Sequence, residues 1–323
     1  MDSSRLDPKS AEAEAGQARF LGIVGEMRPA LHRYCARMCG SVADGEDIVQ
    51  DVLVKAYAQR AELDSGTPLR PWLFRIAHNR SIDWLRDYGR RMSRPLEEGG
   101  DFPDTGTPDP ESGLAREETL RLALAHFAEL PPTQRGAVIL KDVLEYSLEE
   151  IAVILDSSVP GIKAVLHRGR TRLRHLGSLP GSGAPEPNLS PILLRYVALF
   201  NAHDWEGVRA LLADEVKLDL VSREKKTGRS QVAHYFTNYE AARDWHYIPA
   251  WLDGQEAIAV VEKPGDAAPR YFIRLGSIGA KVASIRDFRY VPYIMQDARI
   301  RFADGFPPKD VIVNGTHVPM QSE

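Results

Sequence analysis

Apolar residues recur at three- and four-residue steps over most of the first 176 positions, which is the spacing of one face of an α-helix. In DGEDIVQDVLVKAYAQRAEL, Ile48 and Val52 fall on one side, while Asp47, Gln50 and Asp51 form a polar side. Two further segments show the same periodicity, ARFLGIVGEMRPALHRYCARMCG before it and PLRPWLFRIAHNRSIDWLRDYGRR after it. We therefore predict three helices, the first ending at Gly40.

The pattern changes after about residue 190. Helical periodicity near 191–200, 204–213 and 230–242 is followed by the strand-like runs EVKLDLV, HYIPAWL, EAIAVVE, RYFIRLG and KVASIRDFRYV. Asp253-Gly254 lies between two of these runs and is a strong signal for a two-residue hairpin turn. Helices followed by a run of antiparallel strands predict an α+β fold.

Two stretches interrupt these patterns. The segment 95–113 holds four Pro and six acidic residues without Lys or Arg, and 177–189 is rich in Pro, Gly and Ser. Both are typical of extended linkers. They divide the chain into predicted domains at 18–94, 114–176 and 190–323.

Composition places the chain among ordinary globular proteins. Of its 323 residues, 43% are hydrophobic and 27% charged, with a formal net charge of −4. No run of 18 apolar residues and no signal-peptide pattern occurs, so we expect a cytoplasmic protein without membrane contact. Cys35 and Cys39 share a predicted helix face with His32, which is a poor tetrahedral ligand set. We predict buried thiols there and no metal or cofactor.

Residues 147–176 carry the signals of two short-linked helices. Ser147 and Glu150 have the spacing of a capping box, which starts a helix running to Leu155. Ser158 is the predicted N-cap of the next helix, and Pro160 lies in its first turn, where a missing N–H costs little. Two helices joined by so short a turn predict a helix-turn-helix, whose second helix reads DNA.

That second helix is strongly basic. Positions 157–176 contain five Lys or Arg and no Asp or Glu, namely Lys163, Arg168, Arg170, Arg172 and Arg174. Such cations neutralise DNA phosphates and release their counterions. Charge and periodicity alone leave a second interpretation open, a solvated basic helix in a helical bundle.

The chain resembles the bacterial sigma-70-type factors of the extracytoplasmic-function group. DGEDIVQDVLVKAY and PLRPWLFRIAHNRSIDWLR, within 18–92, resemble sigma domain 2. ALAHFAELPPTQRGAVILKDVLEYSLEEIAVILDSSVPGIKAVLHRGRTRLR, within 114–176, resembles sigma domain 4. The resemblance implies two all-α domains, the second a helix-turn-helix, and the partners RNA polymerase core and promoter DNA.

For domain 2, the resemblance implies that Asp47, Gln50 and Asp51 contact the clamp of core polymerase. The segment from Leu69 to Arg91 would melt and hold the −10 element, because arginine with interleaved aromatics suits unpaired bases. The residues implied for −10 DNA are Arg75, Asn79, Arg80 and Arg86. Trp72 and Trp84 are predicted to pack in the core instead.

For domain 4, the residues implied for the −35 element lie on the basic helix; they are Lys163, Ala164, His167, Arg168 and Arg170. Ala164 is small enough to let the backbone approach the DNA. The acidic linker at 95–113 is implied either to mimic RNA phosphates near the polymerase active centre or to act as a flexible tether.

The third block resembles SnoaL-like domains through ILLRYVALFNAHDWEGVRALLADEVKLDLV, which implies a cone-shaped α+β fold around a cavity. Residues that would line the cavity are Asp219, His234, Tyr235, Trp245, His246 and Trp251, and Asp287 is a further carboxyl candidate. The segment Arg289 to Ile300 would cap the cavity or face the sigma domains. In related sigma factors such an extension replaces a separate anti-sigma protein, which implies contact with the sigma domains. A cavity without chemistry, holding an unidentified small ligand or none, is favoured over an active site.

The predicted function is that of a promoter-specific sigma factor modulated in cis, and not of an enzyme. Two alternatives stay open. One is a DNA-binding regulator that never engages core polymerase. Such a regulator would not need a clamp-docking helix. The other is a SnoaL-like enzyme with a regulatory N-terminal half.

Overall fold

The computed structural model describes residues 8–60, 67–92, 127, 129–177, 188–241, 245–264, 266, 268–303 and 311–312. The chain divides into two compact units, Met1–Gly181 and Ser182–Glu323. The acidic linker at 95–113, the start of the predicted domain 114–176 up to residue 126, and positions 178–187 of the second linker lie outside the described residues.

The first unit is helical, as predicted. Its elements are α1 (Pro8–Cys39), α2 (Val42–Gln59), α3 (Leu69–Met92), α4 (Pro132–Val138), a π-helical segment (Ile139–Val143), α5 (Leu148–Ile154) and α6 (Val159–Gly177). Gly40 ends α1 with a φ of +84°, a conformation that glycine adopts without strain. The Ser41 hydroxyl then accepts the Asp44 amide and caps α2.

One hydrophobic core joins the helices of the first unit. Buried residues from α1, α2 and α3 form a single cluster with buried residues from α4, α5 and α6. Helices α1 and α2 approach closely at Gly45, where an added Cβ would lie 2.6 Å from the Ala36 Cα. The two helical segments of the sequence, before and after the acidic linker, therefore pack as one body within this unit.

The second unit is an α+β domain, which confirms the predicted fold class. Its helices are α7 (Pro191–Asn201), α8 (Trp205–Leu211) and α9 (Arg229–Ala241). Its strands are β1 (Leu212–Leu220), β2 (Glu224–Thr227), β3 (His246–Leu252), β4 (Gln255–Val261), β5 (Tyr271–Ile278), β6 (Lys281–Asp287), β7 (Arg299–Phe302) and β8 (Val311–Ile312). A 3₁₀ helix, Pro292–Gln296, precedes β7.

The eight strands form one sheet in the order β2-β1-β6-β5-β4-β3-β7-β8. The expectation of purely antiparallel strands was wrong in one place, because β1 pairs with β6 in parallel. Period-two patterning reports which face of a strand is buried and carries no information on the direction of its neighbour. The β3–β4 hairpin is confirmed, with Asp253 and Gly254 at φ of +50° and +79°.

Across the part of the chain that the structure describes, no helix combines the length and the apolar character that a bilayer crossing requires.

Candidate nucleic-acid interface

The predicted capping residues lie at the starts of both helices of the helix-turn-helix, α5 and α6. The Ser147 hydroxyl accepts the Glu150 amide, and the Glu150 carboxylate accepts the Ser147 amide at 2.8 Å, completing the capping box of α5. The hydrogen bonds that this carboxylate accepts from the Ser147 amide and hydroxyl lower the pKa of Glu150. After the turn, the Ser158 hydroxyl accepts the Gly161 amide at 3.2 Å and caps α6. The helix-turn-helix is thus set by local hydrogen bonds.

The apolar residues of α6 determine which side of this helix faces the core. Ile162, Leu166 and Leu173 are buried, and Gly169 lies so close to α4 that a Cβ would meet the Val138 side chain at 2.8 Å. The opposite side presents four of the residues predicted for −35 DNA: Lys163, Ala164 and Arg168 are exposed, and His167 is half-buried. The spacing of these four places them on a single stripe.

Arg170 has a different environment from the other predicted DNA residues. Its guanidinium donates two hydrogen bonds to the Asp142 carboxylate, from Nε at 3.0 Å and from Nη2 at 2.6 Å. The Asp142 side chain is 1% exposed, and this bidentate pair raises the pKa of Arg170. Arg170 therefore anchors α6 to the π-helical segment.

The polar side of α2 presents the residues predicted for polymerase. Asp47 and Gln50 are half-buried and Asp51 is exposed. One turn further along, Val54 is 71% exposed and Tyr57 is 38% exposed. The sequence reasoning missed these two; an apolar residue on the polar side of an amphipathic helix was the available signal.

The residues predicted for −10 DNA lie on α3. Arg75, Asn79 and Arg86 are exposed, whereas Arg80 is hydrogen-bonded to the Asp51 carboxylate. The structure thus links one predicted −10 residue to one predicted polymerase residue.

The two tryptophans of α3 differ in environment. Trp72 packs against the core as expected. Trp84 also touches the core, and its ring stacks on Tyr88 with centroids 5.0 Å apart. Tyr88 is exposed, so the stacked pair adds aromatic surface near Arg86.

Two buried groups of the first unit are electrically neutral. The pKa of the His78 imidazole falls to about 4 because it is buried, and its Nδ1 lies 2.8 Å from the Tyr34 hydroxyl. Burial also raises the pKa of the Cys35 thiol to about 12, which makes it unreactive at neutral pH. His32 places its Nε2 at 2.9 Å from the carbonyl of Val42, the first residue of α2.

The interior of the second unit contains a cluster of tyrosines around one carboxyl. The Tyr235 hydroxyl donates to Asp287 at 2.5 Å and lies 2.9 Å from the Tyr239 hydroxyl, which is 3.3 Å from that of Tyr271. Burial raises the pKa of Asp287 and favours its neutral form. Trp245 packs edge-on to Tyr271. The sequence singled out Tyr235, Trp245 and Asp287 but gave no sign that the other tyrosines join them.

The remaining residues predicted for a cavity have other environments. Asp219 lies on β1 within 3.6 Å of Arg286 and 3.8 Å of Lys225. His234 is exposed on α9, and Trp251 is half-buried beneath the Arg301 guanidinium. His246 is half-buried at the start of β3, and burial lowers its pKa. The predicted set therefore does not converge on one point.

Two family models match the first unit. Residues 23–91 match "Sigma-70 region 2" and residues 121–173 match "Sigma-70, region 4". Among curated proteins, the chain is 29% identical to the extracytoplasmic-function (ECF) RNA polymerase sigma factor SigG of Mycobacterium tuberculosis, over 82% of this chain and 80% of SigG. It is 32% identical to the ECF RNA polymerase sigma factor SigW of Bacillus subtilis, over 49% of this chain and 88% of SigW.

Solved structures give weaker likenesses. The extracytoplasmic-function sigma factor SigJ of Mycobacterium tuberculosis aligns with a TM-score of 0.33 and 20% identity, over 83% of this chain and 95% of SigJ. A putative polyketide cyclase of Pseudomonas putida aligns with a TM-score of 0.24 and 16% identity, over 33% of this chain and 94% of the cyclase.

Proposed function

The chain belongs to the extracytoplasmic-function family of RNA polymerase sigma factors, and from this membership we propose how its parts divide the work of promoter recognition. Its function is to bind RNA polymerase core and direct it to promoter DNA. We assign core and −10 binding to residues 18–94, −35 binding to 114–176 and regulation to 190–323. Since promoters are the target, the proposed location is the cytoplasm.

The −35 assignment is supported above all by the exposed stripe on α6. Lys163 and Arg168 project from a capped recognition helix whose other side is fixed in the core. In this proposal Lys163, Ala164, His167 and Arg168 face the major groove. Arg170 reaches DNA only if it leaves Asp142, so we give it an anchoring role.

Core binding is assigned to α2. Asp47, Gln50 and Asp51 supply polar contacts, and the exposed Val54 supplies an apolar one in the next turn. The variant Asp47→Lys/Asp51→Lys should lose co-purification with core polymerase while keeping its circular dichroism spectrum. Glu206→Lys/Glu224→Lys, two exposed acids of the second unit, is the matched control. Normal co-purification of the α2 variant would remove these residues from the interface.

The second unit is proposed to regulate in cis and not to catalyse. The segment 178–187 joins it to the end of α6 and reaches about 35 Å at most, so even a weak contact with the sigma domains would be populated. Asp287 is enclosed by tyrosine hydroxyls, an arrangement that satisfies its hydrogen bonds within the fold. A small ligand at this cluster would change activity only by binding one form of the protein better.

In vitro transcription with purified core polymerase tests both parts. Full-length protein should initiate from its promoter in a core-dependent manner, and a chain ending at residue 178 should initiate at a different rate. Equal rates would leave the second unit without a regulatory role. Failure of both chains to initiate would contradict the sigma-factor function itself.

A further inference from the structure

The interior of the second unit contains more hydroxyl groups than its own hydrogen bonds use. Three tyrosines and a carboxyl form a continuous chain, in which the hydroxyls of Tyr271, Tyr239 and Tyr235 follow one another and end at Asp287. All four residues are at most 5% exposed. Because each phenol oxygen can accept a hydrogen bond as well as donate one, the chain can be extended at Tyr271 by one more oxygen.

Two further tyrosine hydroxyls lie in the same interior without a hydrogen-bond partner. The hydroxyl oxygens of Tyr196 on α7 and Tyr247 on β3 are buried, and neither has a donor or acceptor within reach among the residues that the structure describes. Burial raises the pKa of both phenols, and the neighbouring Tyr239 and Asp287 raise it further, so these hydroxyls share one interior with the chain. A buried hydroxyl that has lost its hydrogen bonds to water is destabilising. The fold therefore keeps two hydroxyls that its own stability does not favour.

The register of the sheet brings the two sets of hydroxyls together. Tyr247 on β3 and Tyr271 on β5 both pair with Val260 of the strand between them, so they lie in one row on the same face. Neighbouring strands are about 4.8 Å apart, which separates the two tyrosine backbones by about 10 Å. Ile273, two residues after Tyr271, pairs with Asp287 and places the carboxyl on that face as well. Helices α7 and α9 supply the remaining tyrosines to the same core.

Aromatic rings and one cation border these hydroxyls. The Phe200 ring stacks on the Tyr247 ring with centroids 3.4 Å apart, and Trp245 packs edge-on to Tyr271. Trp245 is half-buried, and the exposed Arg289 holds its guanidinium 5.0 Å from the centre of the Trp245 ring. A flat molecule that bears an oxygen would meet ring faces at its sides, hydroxyls at its oxygen and a cation toward the surface.

We propose that this cluster is the binding site of a small phenolic or enolic molecule, whose oxygen completes the hydrogen bonds of the Tyr196 and Tyr247 hydroxyls. A phenolic oxygen matches the cluster because it accepts hydrogen bonds from several phenols and donates its own proton to the chain at Tyr271. The hydroxyl donors also stabilise the charged form of such an oxygen, and Arg289 attracts it. The ligand is bound without a covalent step.

Two probes that differ by one hydroxyl test the site. Binding is measured on the full-length protein without polymerase or DNA, so a failure here leaves the sigma-factor function untouched. In calorimetric titrations, para-nitrophenol should bind at a single site. Nitrobenzene, which has the same ring without the hydroxyl, should bind about tenfold more weakly or less tightly still. Binding of neither probe, or equal binding of both, would overturn the proposal.

Removal of the unpartnered hydroxyls gives a result that a purely structural role does not predict. Tyr196→Phe and Tyr247→Phe each delete one hydroxyl and keep the ring. Without ligand, each should raise the thermal unfolding midpoint of the second unit by about 2 to 4 °C, since a destabilising group is removed. With para-nitrophenol, each should weaken binding about five- to tenfold. A gain in stability together with a loss of affinity identifies a group retained for binding.

Tyr235→Phe is the matched control for stability, because it deletes a buried phenol oxygen of the same cluster. The Tyr235 hydroxyl is hydrogen-bonded to Asp287, so its loss should lower the unfolding midpoint. Tyr290→Phe, at an exposed position, should change neither stability nor affinity. Circular dichroism verifies that each variant keeps its fold.

Ordered water is the alternative occupant, and the same variants distinguish it. If internal water satisfied the Tyr196 and Tyr247 hydroxyls, both phenylalanine variants would be less stable than wild type and para-nitrophenol would not bind. That combination would overturn the proposal. The absorption spectrum of the bound probe is an independent readout, and it should shift toward that of the phenolate because the hydroxyls stabilise this form. Binding with an unshifted spectrum would place the probe outside the cluster and contradict the proposal.

Discussion

Helices α3 and α6 both carry several basic residues, but they differ in how many of these cations already lie beside a carboxylate of the protein. On α3, Arg75, Arg80 and Arg86 each have a carboxylate within 4.0 Å. On α6, the structure records a carboxylate for Arg170, and none for Lys163 or Arg168 among the residues it describes. If α6 reads the −35 duplex and α3 holds the −10 element, as proposed, Lys163 and Arg168 are already available to DNA, whereas the arginines of α3 must exchange carboxylate partners for promoter contacts.

Among the tests of this comparison, loss of the Asp142–Arg170 ion pair of α6 should have the largest effect. Asp142→Ala leaves the half-buried Arg170 without its partner, and we expect the first unit to lose about 3 kcal/mol of unfolding free energy. Denaturant unfolding followed by circular dichroism measures it. Arg172→Ala, an exposed cation on the same helix, is the control and should change stability by less than about 0.5 kcal/mol. Equal losses in the two variants would contradict the anchoring role.

Acidification should weaken the contact of α3 with α4. Burial lowers the pKa of His78 from 6.5 to about 4, so the folded unit binds this proton less tightly than the unfolded chain. The stability that neutral His78 contributes is present above pH 6.5 and is lost as pH falls toward 4, by about 2 to 3 kcal/mol.

The measurement is the unfolding free energy of wild type and His78→Asn between pH 7.5 and 4. Because carboxylates also titrate at the lower end, the difference between the two proteins is the quantity that reports His78. That difference should shrink with falling pH. A constant difference would show that His78 does not need to be neutral in this unit.

The exposed stripe of α6 predicts a loss of binding without a loss of stability. Lys163→Ala or Arg168→Ala should weaken promoter duplex binding by about 1 to 2 kcal/mol where a base edge is contacted, with less effect for a phosphate. Fluorescence anisotropy at several salt concentrations distinguishes the two, because a lost phosphate contact lowers the salt slope by about 1. Arg195→Ala, an exposed arginine on α7, is the matched control. Unaltered binding by both α6 variants would shift the DNA surface elsewhere.

The smallest effect is expected at the Arg80–Asp51 pair. Both side chains are partly exposed, and exposed ion pairs contribute little, so Arg80→Ala should change stability by less than about 1 kcal/mol. The same change should weaken open-complex formation on a promoter if Arg80 moves from Asp51 to the −10 element. Asp83→Ala, which removes a neighbouring carboxylate, should leave open-complex formation intact.

Much of the molecule was readable from the sequence because its signals are local. Ser147, Glu150 and Ser158 fix helix starts through hydrogen bonds to amides three residues away, and Asp253-Gly254 fixes a hairpin through its own backbone angles. On α6 the resemblance to sigma domain 4 singled out Lys163 and Arg168, and the structure places both on the side opposite the buried Ile162, Leu166 and Leu173.

Tertiary structure alone decided the features that depend on distant partners. In the sequence Arg170 does not differ from its basic neighbours on α6, and only the structure shows that it pairs with Asp142, 28 residues away. Arg135, which caps the end of α1, and the close-packed Gly136 carried no signal at all, since both roles are defined by what faces them. The direction of β6 beside β1, and the gathering of tyrosines around Asp287, follow the same rule. The sequence determines the interactions that a residue makes with its neighbours along the chain, whereas tertiary packing determines which distant group it contacts.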